Sequence, residues 1–179
     1  WVQLRVVDPA NQQDVPTGEV GEIWIQSEML MSGYWRKPSE TAETMQPGGW
    51  LRTGDAAYLD AEGYIYLFDR YKDLIISGGE NIYPAEIENA LASFPGVAEC
   101  AVVGLPDDRW GEVPVLVLVR QTNAEGAQLQ TDAVLLHLQQ HIARFKLPRR
   151  IVFQTQLPKS ALGKVQKPLL QRQLIDGNA

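Results

Sequence analysis

Alternating apolar and polar positions predict strands in the first third of the chain. Strands are predicted at residues 2–7 and 21–27, followed by a hairpin formed by residues 56–59 and 64–68. The hairpin connection, residues 60–63, is acidic and ends in glycine, which is typical of a short turn. We therefore expect this part of the chain to be mostly β.

Beyond Asp73 the pattern changes to helices mixed with strands. Pro84 opens a predicted helix, and Thr131 is the expected cap of another. The apolar positions of the first helix are Ile87, Ala90, Leu91 and Phe94. Further predicted elements are strands at 97–105, 113–120 and 150–154, a long loop at 121–131, and a terminal helix beginning near Gln166. Residues 113–120 are so uniformly apolar that we expect both faces of that strand to be covered.

These patterns predict an α+β protein in two parts. Residues 1–71 are interpreted as the β-rich end of a large domain. Residues 72–179 are interpreted as a small α+β domain with a central sheet and flanking helices. The strand pattern begins at once after Trp1, so we expect the chain to start inside a larger fold.

Composition narrows the possible partners. A net charge of -6 offers no basic surface for nucleic acid, although single nucleotides remain possible ligands. The longest apolar run, residues 113–119, is too short to span a membrane, and no export signal is visible. The single cysteine, Cys100, lies in an apolar run and is expected to be buried rather than reactive. We expect a cytoplasmic protein.

Four short motifs follow one another along the chain. Each places a charged group beside backbone that can bend sharply, as sites for a nucleotide and a reacting carboxylate require. The motifs are Gly-Tyr-Trp at 33–35 running to Thr41, Trp-Leu-Arg-Thr-Gly-Asp at 50–55, Asp-Arg-Tyr-Lys-Asp at 69–73 leading into Ser-Gly-Gly-Glu-Asn at 77–81, and Pro-Lys-Ser-Ala-Leu-Gly-Lys at 158–164.

In the order and spacing of these motifs the chain resembles the carboxyl-terminal third of the adenylate-forming superfamily. That superfamily includes acyl- and aryl-CoA ligases, luciferases and the adenylation domains of peptide synthetases. Its members join a carboxylic acid to AMP, release pyrophosphate, and then pass the acyl group to a thiol. The resemblance implies ATP with Mg²⁺, CoA and a small carboxylic acid as ligands. The family's phosphate loop and magnesium residue precede the matched segment, so we expect the rest of the large domain upstream and no activity from this chain alone.

The resemblance assigns roles to four charged residues. Asp55 matches an aspartate that accepts hydrogen bonds from the ribose hydroxyls, and Arg70 matches an arginine that approaches the nucleotide. Lys72 occupies the hinge about which the small domain swings between two poses. Lys164 is expected to be catalytic, because an ammonium offsets the repulsion between a carboxylate and the α-phosphate. Lys159, in the same motif, is interpreted as a solvated lysine whose role the sequence does not separate from packing.

A CoA subsite is expected in the second part. Gly78 and Gly79 read as a tight turn between two strands, and they match glycines that let the pantetheine arm pass close to the backbone. Trp110 matches a position where some aryl-CoA ligases stack the CoA adenine, although a tryptophan that anchors a loop explains it equally well.

Phe145 and Arg149 complete the expected CoA subsite. The same relatives place an aromatic and a basic residue there, whereas Leu147 departs from the pattern, because a relative carries a second cation at that position. No metal site is expected within the chain. His137 and His141 have a spacing that suits a metal, but no cysteine or carboxylate ligand accompanies them in sequence, so they are interpreted as helix-surface residues.

The leading interpretation is the carboxyl-terminal part of an ATP-dependent acid-CoA ligase acting on a fatty or aromatic acid. Two alternatives stay open: an adenylating enzyme that loads the phosphopantetheine of a carrier protein, and a non-catalytic α+β binding module. Lys72 and the turn at 77–81 favour a CoA ligase over a peptide-synthetase domain. The presence of Asp55, Arg70 and Lys164 together favours an enzyme over a module.

Overall fold

The structure is a computed structural model that describes residues 1–177. The chain divides into two compact units, of which the first is Trp1–Lys72 and the second begins at Asp73. Residues 178 and 179, which close the predicted second domain, lie outside the described residues. The predicted α+β class is confirmed, since helices and two separate sheets are present.

The first unit is built on an antiparallel sheet. Its strands pair in the order β1-β2-β4-β3, and β5 also pairs with β4. Its elements are β1 (Gln3–Val7), β2 (Gly21–Gln26), α1 (Pro38–Thr44), β3 (Met45–Gln46), β4 (Trp50–Leu59) and β5 (Ile65–Arg70). The sheet's buried apolar side chains are Val6, Val7, Ile23, Trp24, Ala56 and Ala57. The β4–β5 hairpin confirms the pairing predicted across residues 60–63.

Two features of this unit differ from the prediction. β4 begins at Trp50 rather than at residue 56, because residues 50–55 belong to the same strand, which continues through a bulge. Pro38–Thr44 forms a helix with no buried residue, so it has no apolar face that periodicity can detect.

The second unit has a sheet centred on β9. β9 pairs antiparallel with β8, parallel with β10, and through Gly111 with β6, which pairs with β7. The elements are β6 (Ile75–Ser77), β7 (Glu80–Ile82), α2 (Pro84–Ala90), β8 (Val97–Asp107), β9 (Gly111–Arg120), α3 (Ala124–Gln128), α4 (Thr131–His141), β10 (Arg150–Gln154) and α5 (Lys167–Ile175).

Both faces of β9 are covered, as its uniform apolarity predicts. Successive side chains of a strand point to opposite faces, so Val115 and Val117 share one face while Leu116 and Leu118 share the other. The first face packs with Leu170 and Leu174 of α5, among others. The second face packs with Ile87 of α2 and with Val134 and Leu138 of α4.

Three local predictions in the second unit are wrong. α2 ends at Ala90, so Leu91 and Phe94 lie beyond it, although Leu91 is fully buried. The cap position of α4 is Gln130 rather than Thr131. The segment at 121–131 is not a continuous loop, because the side chain of Asn123 accepts a hydrogen bond from the Gly126 N–H at 2.8 Å and caps α3.

None of the helices in residues 1–177 combines the length and the apolar character that crossing a membrane requires.

Helix α4 offers a matched pair of leucines that tests the assignment of the core. Leu138 is fully buried, whereas Leu136 is 60% exposed. We expect Leu138→Ala to lower the free energy of unfolding by about 2–5 kcal/mol, because it removes packed atoms and leaves a cavity. Leu136→Ala is expected to change it by less than about 0.5 kcal/mol. Urea unfolding of both variants measures the difference, and equal effects would contradict this core.

Candidate functional site

Asp55 lies in a bulge of β4. Opposite the single residue Ile23 on β2, strand β4 has three residues, Thr53, Gly54 and Asp55. Gly54 has φ +73°, a left-handed conformation that favours glycine. The Thr53 hydroxyl donates to the Ile23 carbonyl at 2.9 Å and accepts from the Asp55 N–H at 3.0 Å. The bulge is thus hydrogen-bonded on its inner side, and the Asp55 carboxylate stays 33% exposed.

Asp55 and Arg70, the two predicted nucleotide ligands, form an ion pair. They are register partners on β4 and β5, and the Arg70 Nη1 donates to Asp55 Oδ1 at 2.5 Å. The Arg70 side chain is 52% exposed. An ion pair this open contributes at most about 1 kcal/mol to stability, so a ligand can replace its contacts at small cost.

Glu22 is a buried carboxylate that the motif-based reasoning missed. It lies on β2, is 2% exposed, and is the single buried charged residue of the described chain. It accepts hydrogen bonds from the Trp24 indole at 3.1 Å, from Arg52 Nε at 2.9 Å, and from the Gly54 N–H at 3.1 Å. Arg52 Nη2 also lies 2.9 Å from the carboxylate, so the two residues form an ion pair. The available signal was its position two residues before Trp24, since alternation places both side chains on one face.

The lysines of the chain divide into paired and unpaired groups. The sequence contains six lysines. Four of them form ion pairs: Lys37 with Glu40, Lys146 with Glu86, Lys159 with Glu99, and Lys167 with Glu88. The other two, Lys72 and Lys164, are exposed and have no carboxylate partner within residues 1–177. These are the lysines to which the resemblance assigns the hinge and the chemistry.

Lys164 is carried on a tight turn. The Ser160 N–H donates to the Lys164 carbonyl at 2.8 Å, and the Gly163 N–H donates to the Ser160 carbonyl at 2.9 Å. Gly163 has φ +79°, which a turn of this shape requires. Lys159, on the opposite side of the turn, pairs with Glu99 of β8 at 2.7 Å. Lys159 keeps 40% of its side chain exposed, so it is a solvated lysine that also contacts the sheet.

Lys72 lies in a short turn, Tyr71–Asp73, that follows β5. It is the last residue of the first compact unit. Its hinge role stays a prediction.

Two of the predicted CoA residues are in contact. The tight turn predicted at Gly78 and Gly79 is confirmed, since it joins β6 to β7 with φ +61° and +87°. The Gly78 N–H donates to the Trp110 carbonyl at 2.9 Å. A Cβ at Gly78 would lie 2.5 Å from Cε3 of Trp110, so only glycine fits against the indole. Trp110 therefore anchors the turn, and adenine stacking on it stays a prediction.

Arg149 joins this pair to the remaining CoA residues. Its guanidinium lies 5.3 Å from the centre of the Trp110 ring, and that of Arg109 lies 4.9 Å from it. Arg149 and Phe145 also line one open cleft of roughly 670 Å³. Phe145 is 48% exposed. The structure thus connects Gly78, Trp110, Arg149 and Phe145 within one unit.

Other groups with potential chemistry have structural partners. Ring nitrogens of His137 and His141 lie 2.8 Å from the carbonyls of Ala90 and His137, and the two rings stack. The described residues contain no group of three potential metal ligands. Burial, reinforced by Glu88, raises the pKa of the Cys100 thiol to about 11, so this group is neutral near pH 7.

Comparison with known proteins identifies relatives of this arrangement. Residues 86–164 match the AMP-binding enzyme C-terminal domain. Feruloyl-CoA synthase of an Amycolatopsis species is 44% identical over 172 residues, which is 96% of this chain and 34% of that protein. Long-chain-fatty-acid–CoA ligase FadD13 of Mycobacterium tuberculosis is 42% identical over 153 residues, 86% of this chain and 29% of that protein.

A solved structure gives the same result. The crystal structure of ATP-bound MatB from Rhodopseudomonas palustris superposes with a TM-score of 0.88 at 36% identity, over 99% of this chain and 35% of that one. The chain spans about a third of the length of the curated relatives that it matches. On these matches, the chain belongs to the adenylate-forming, AMP-binding superfamily and is a carboxyl-terminal portion of its acyl- and aryl-CoA ligase branch.

Proposed function

We propose that this chain is part of an ATP-dependent ligase that joins a carboxylic acid to CoA through an acyl-adenylate. The observation that supports the proposal most directly is which lysines are ion-paired and which are not. Within residues 1–177 every lysine except Lys72 and Lys164 is ion-paired, and these two occupy the hinge and catalytic positions of the family's motifs. The named relatives act on an aromatic acid and on long-chain fatty acids, so we propose an acid of one of these classes.

In the first half-reaction, a carboxylate oxygen of the acid attacks the α-phosphorus of ATP. The bond to pyrophosphate breaks, and acyl-adenylate and pyrophosphate form. Two anions must approach each other while negative charge grows on the phosphoryl oxygens. Lys164, exposed and without a counter-ion in the described chain, is proposed to stabilise that charge. Mg²⁺ accompanies the ATP, with its ligands proposed to lie in the rest of the enzyme.

The nucleotide is proposed to bind at the bulge of β4. Asp55 would accept hydrogen bonds from the ribose hydroxyls, and Arg70 would turn its guanidinium from Asp55 toward the nucleotide. The open ion pair between the two residues keeps both charged side chains in place before the ligand arrives.

In the second half-reaction, the CoA sulfur attacks the acyl carbonyl and AMP leaves. The cleft at Phe145 and Arg149 is proposed to hold the CoA nucleotide, and the pantetheine arm would pass the turn at Gly78 and Gly79. The second unit is proposed to rotate about Lys72 between the two half-reactions. Lys164 would then act in the first half-reaction and the CoA subsite in the second.

Lys164→Ala is expected to abolish the first half-reaction and to spare much of the second. Removing a well-placed electrostatic donor typically costs about 10² to 10³ in rate. The complete ligase would be assayed with an acid chosen from a panel by pyrophosphate release. Transfer from a supplied acyl-adenylate to CoA would be measured separately.

Lys159→Ala is the matched control for this experiment. It removes a lysine of the same turn whose ammonium is held by Glu99. We expect it to lower stability slightly and to reduce adenylate formation by less than about tenfold. Equal loss of both half-reactions in Lys164→Ala would contradict the proposed role.

Arg149→Met is expected to raise the KM for CoA without slowing adenylate formation. Loss of a charge-assisted hydrogen bond to a CoA phosphate corresponds to about tenfold or more in affinity. Arg150→Met is the control, since Arg150 is the adjacent exposed residue but does not line the cleft. An unchanged KM for CoA in Arg149→Met would contradict the subsite. Replacing CoA by a holo carrier protein in the same assay tests the alternative acceptor.

A further inference from the structure

Glu22 holds an unusual position for a carboxylate. It is 2% exposed, whereas Asp55, on the facing strand, keeps 33% of its side chain exposed. Removing an ionised carboxylate from water is strongly unfavourable unless several donors replace the water. Glu22 accepts three such hydrogen bonds, from Arg52, Trp24 and Gly54, and a second nitrogen of Arg52 makes an ion-pair contact with it. Both oxygens of its carboxylate are therefore held by donors.

One of these contacts connects Glu22 to the proposed nucleotide site. The Gly54 N–H is at the centre of the bulge and points at Glu22 Oε1 at 3.1 Å. A bulge leaves backbone groups without ladder partners, and each must find another acceptor. The carboxylate of Glu22 supplies that acceptor beneath the residue immediately preceding Asp55.

We propose that Glu22 is a positioning residue that fixes the β4 bulge and thereby aims the Asp55 carboxylate at the ribose hydroxyls. The inference rests on the proposed function, because it requires Asp55 to bind ribose. Arg52 and Trp24 orient Glu22, Glu22 orients Gly54, and Gly54 orients Asp55. Glu22 itself does not touch the nucleotide.

A purely structural role for Glu22 makes a different prediction. If the buried ion pair only stabilised the first unit, its removal would lower the unfolding temperature. It would also weaken the binding of all nucleotides by the same factor. If Glu22 is a positioning residue, its removal instead weakens the binding only of nucleotides that carry ribose hydroxyls. The ratio of the Kd for 2′,3′-dideoxy-ATP to the Kd for ATP separates the two roles, because dideoxy-ATP cannot bond to Asp55.

The test uses the complete ligase and calorimetric binding of ATP and 2′,3′-dideoxy-ATP. Glu22→Met with Arg52→Met removes the acceptor of Gly54 without leaving a buried charge unpaired. Glu22→Gln with Arg52→Met returns one oxygen at the same place. Val6→Ala, in the core of the same sheet, controls for lost stability. Asp55→Ala reports the ratio that remains without any ribose contact.

We expect wild type and Val6→Ala to bind ATP at least about tenfold more tightly than dideoxy-ATP. In the double methionine variant the ratio should fall to about three or less. In the variant with glutamine it should return toward the wild-type value. If the double methionine variant does not fold, Glu22→Gln alone is used, and a fall in the ratio of about threefold is expected because Arg52 competes with Gly54 for the single remaining oxygen.

The outcomes separate the two proposals. A wild-type ratio that Asp55→Ala abolishes, but that loss of the Glu22 carboxylate leaves intact, would overturn the positioning role of Glu22 alone. Equal ratios in wild type and Asp55→Ala would overturn ribose binding by Asp55, and the role of Glu22 with it.

Discussion

An ammonium group is most readily available to a reacting anion when no carboxylate of its own chain already holds it, and this constraint applies to the proposed catalytic charge. The chain meets this constraint around Lys164. Lys159 and Lys167, which flank it, pair with Glu99 of β8 and Glu88 of α2. Of these two ion pairs, Lys167–Glu88 is the less exposed, at 17% and 24%, and it holds the end of the segment that follows the turn, while Lys164 stays exposed and unpaired within residues 1–177. The backbone that carries the proposed catalytic charge is thus held, and the charge itself remains available to a ligand.

The first unit distributes its charges by the same constraint. Glu22 is buried and accepts a hydrogen bond from the Gly54 N–H, so its carboxylate helps to hold the backbone of the bulge. Asp55 and Arg70 are paired in the open, where solvent screening keeps the interaction weak and exchangeable. In both units, the charges that are proposed to meet substrate are exposed, while Glu22 in the first unit and Lys167 in the second are held in less exposed ion pairs.

Much of the fold follows from the sequence, because alternation and apolar runs report burial. Residues 113–120 are apolar throughout, and β9 is covered on both faces. Helices α1 and α3 were missed because a cap and local turns, rather than an apolar face, form them. The motifs name Asp55, Arg70 and Trp110, but not that Asp55 faces Arg70 or that Trp110 packs on Gly78. Those contacts depend on strand register, which a linear motif does not contain.

Lys164 is proposed to reach the bound nucleotide. Affinity labelling of the complete ligase with a 5′-fluorosulfonylbenzoyl adenosine, followed by peptide mapping, tests it directly, because the reagent modifies amines beside a bound adenosine. We expect the label on Lys164, suppression of that label by ATP, and no modification of the ion-paired Lys159. Labelling of Lys164 that ATP does not suppress, or ATP-protected labelling only at other lysines, would contradict the proposed position of Lys164.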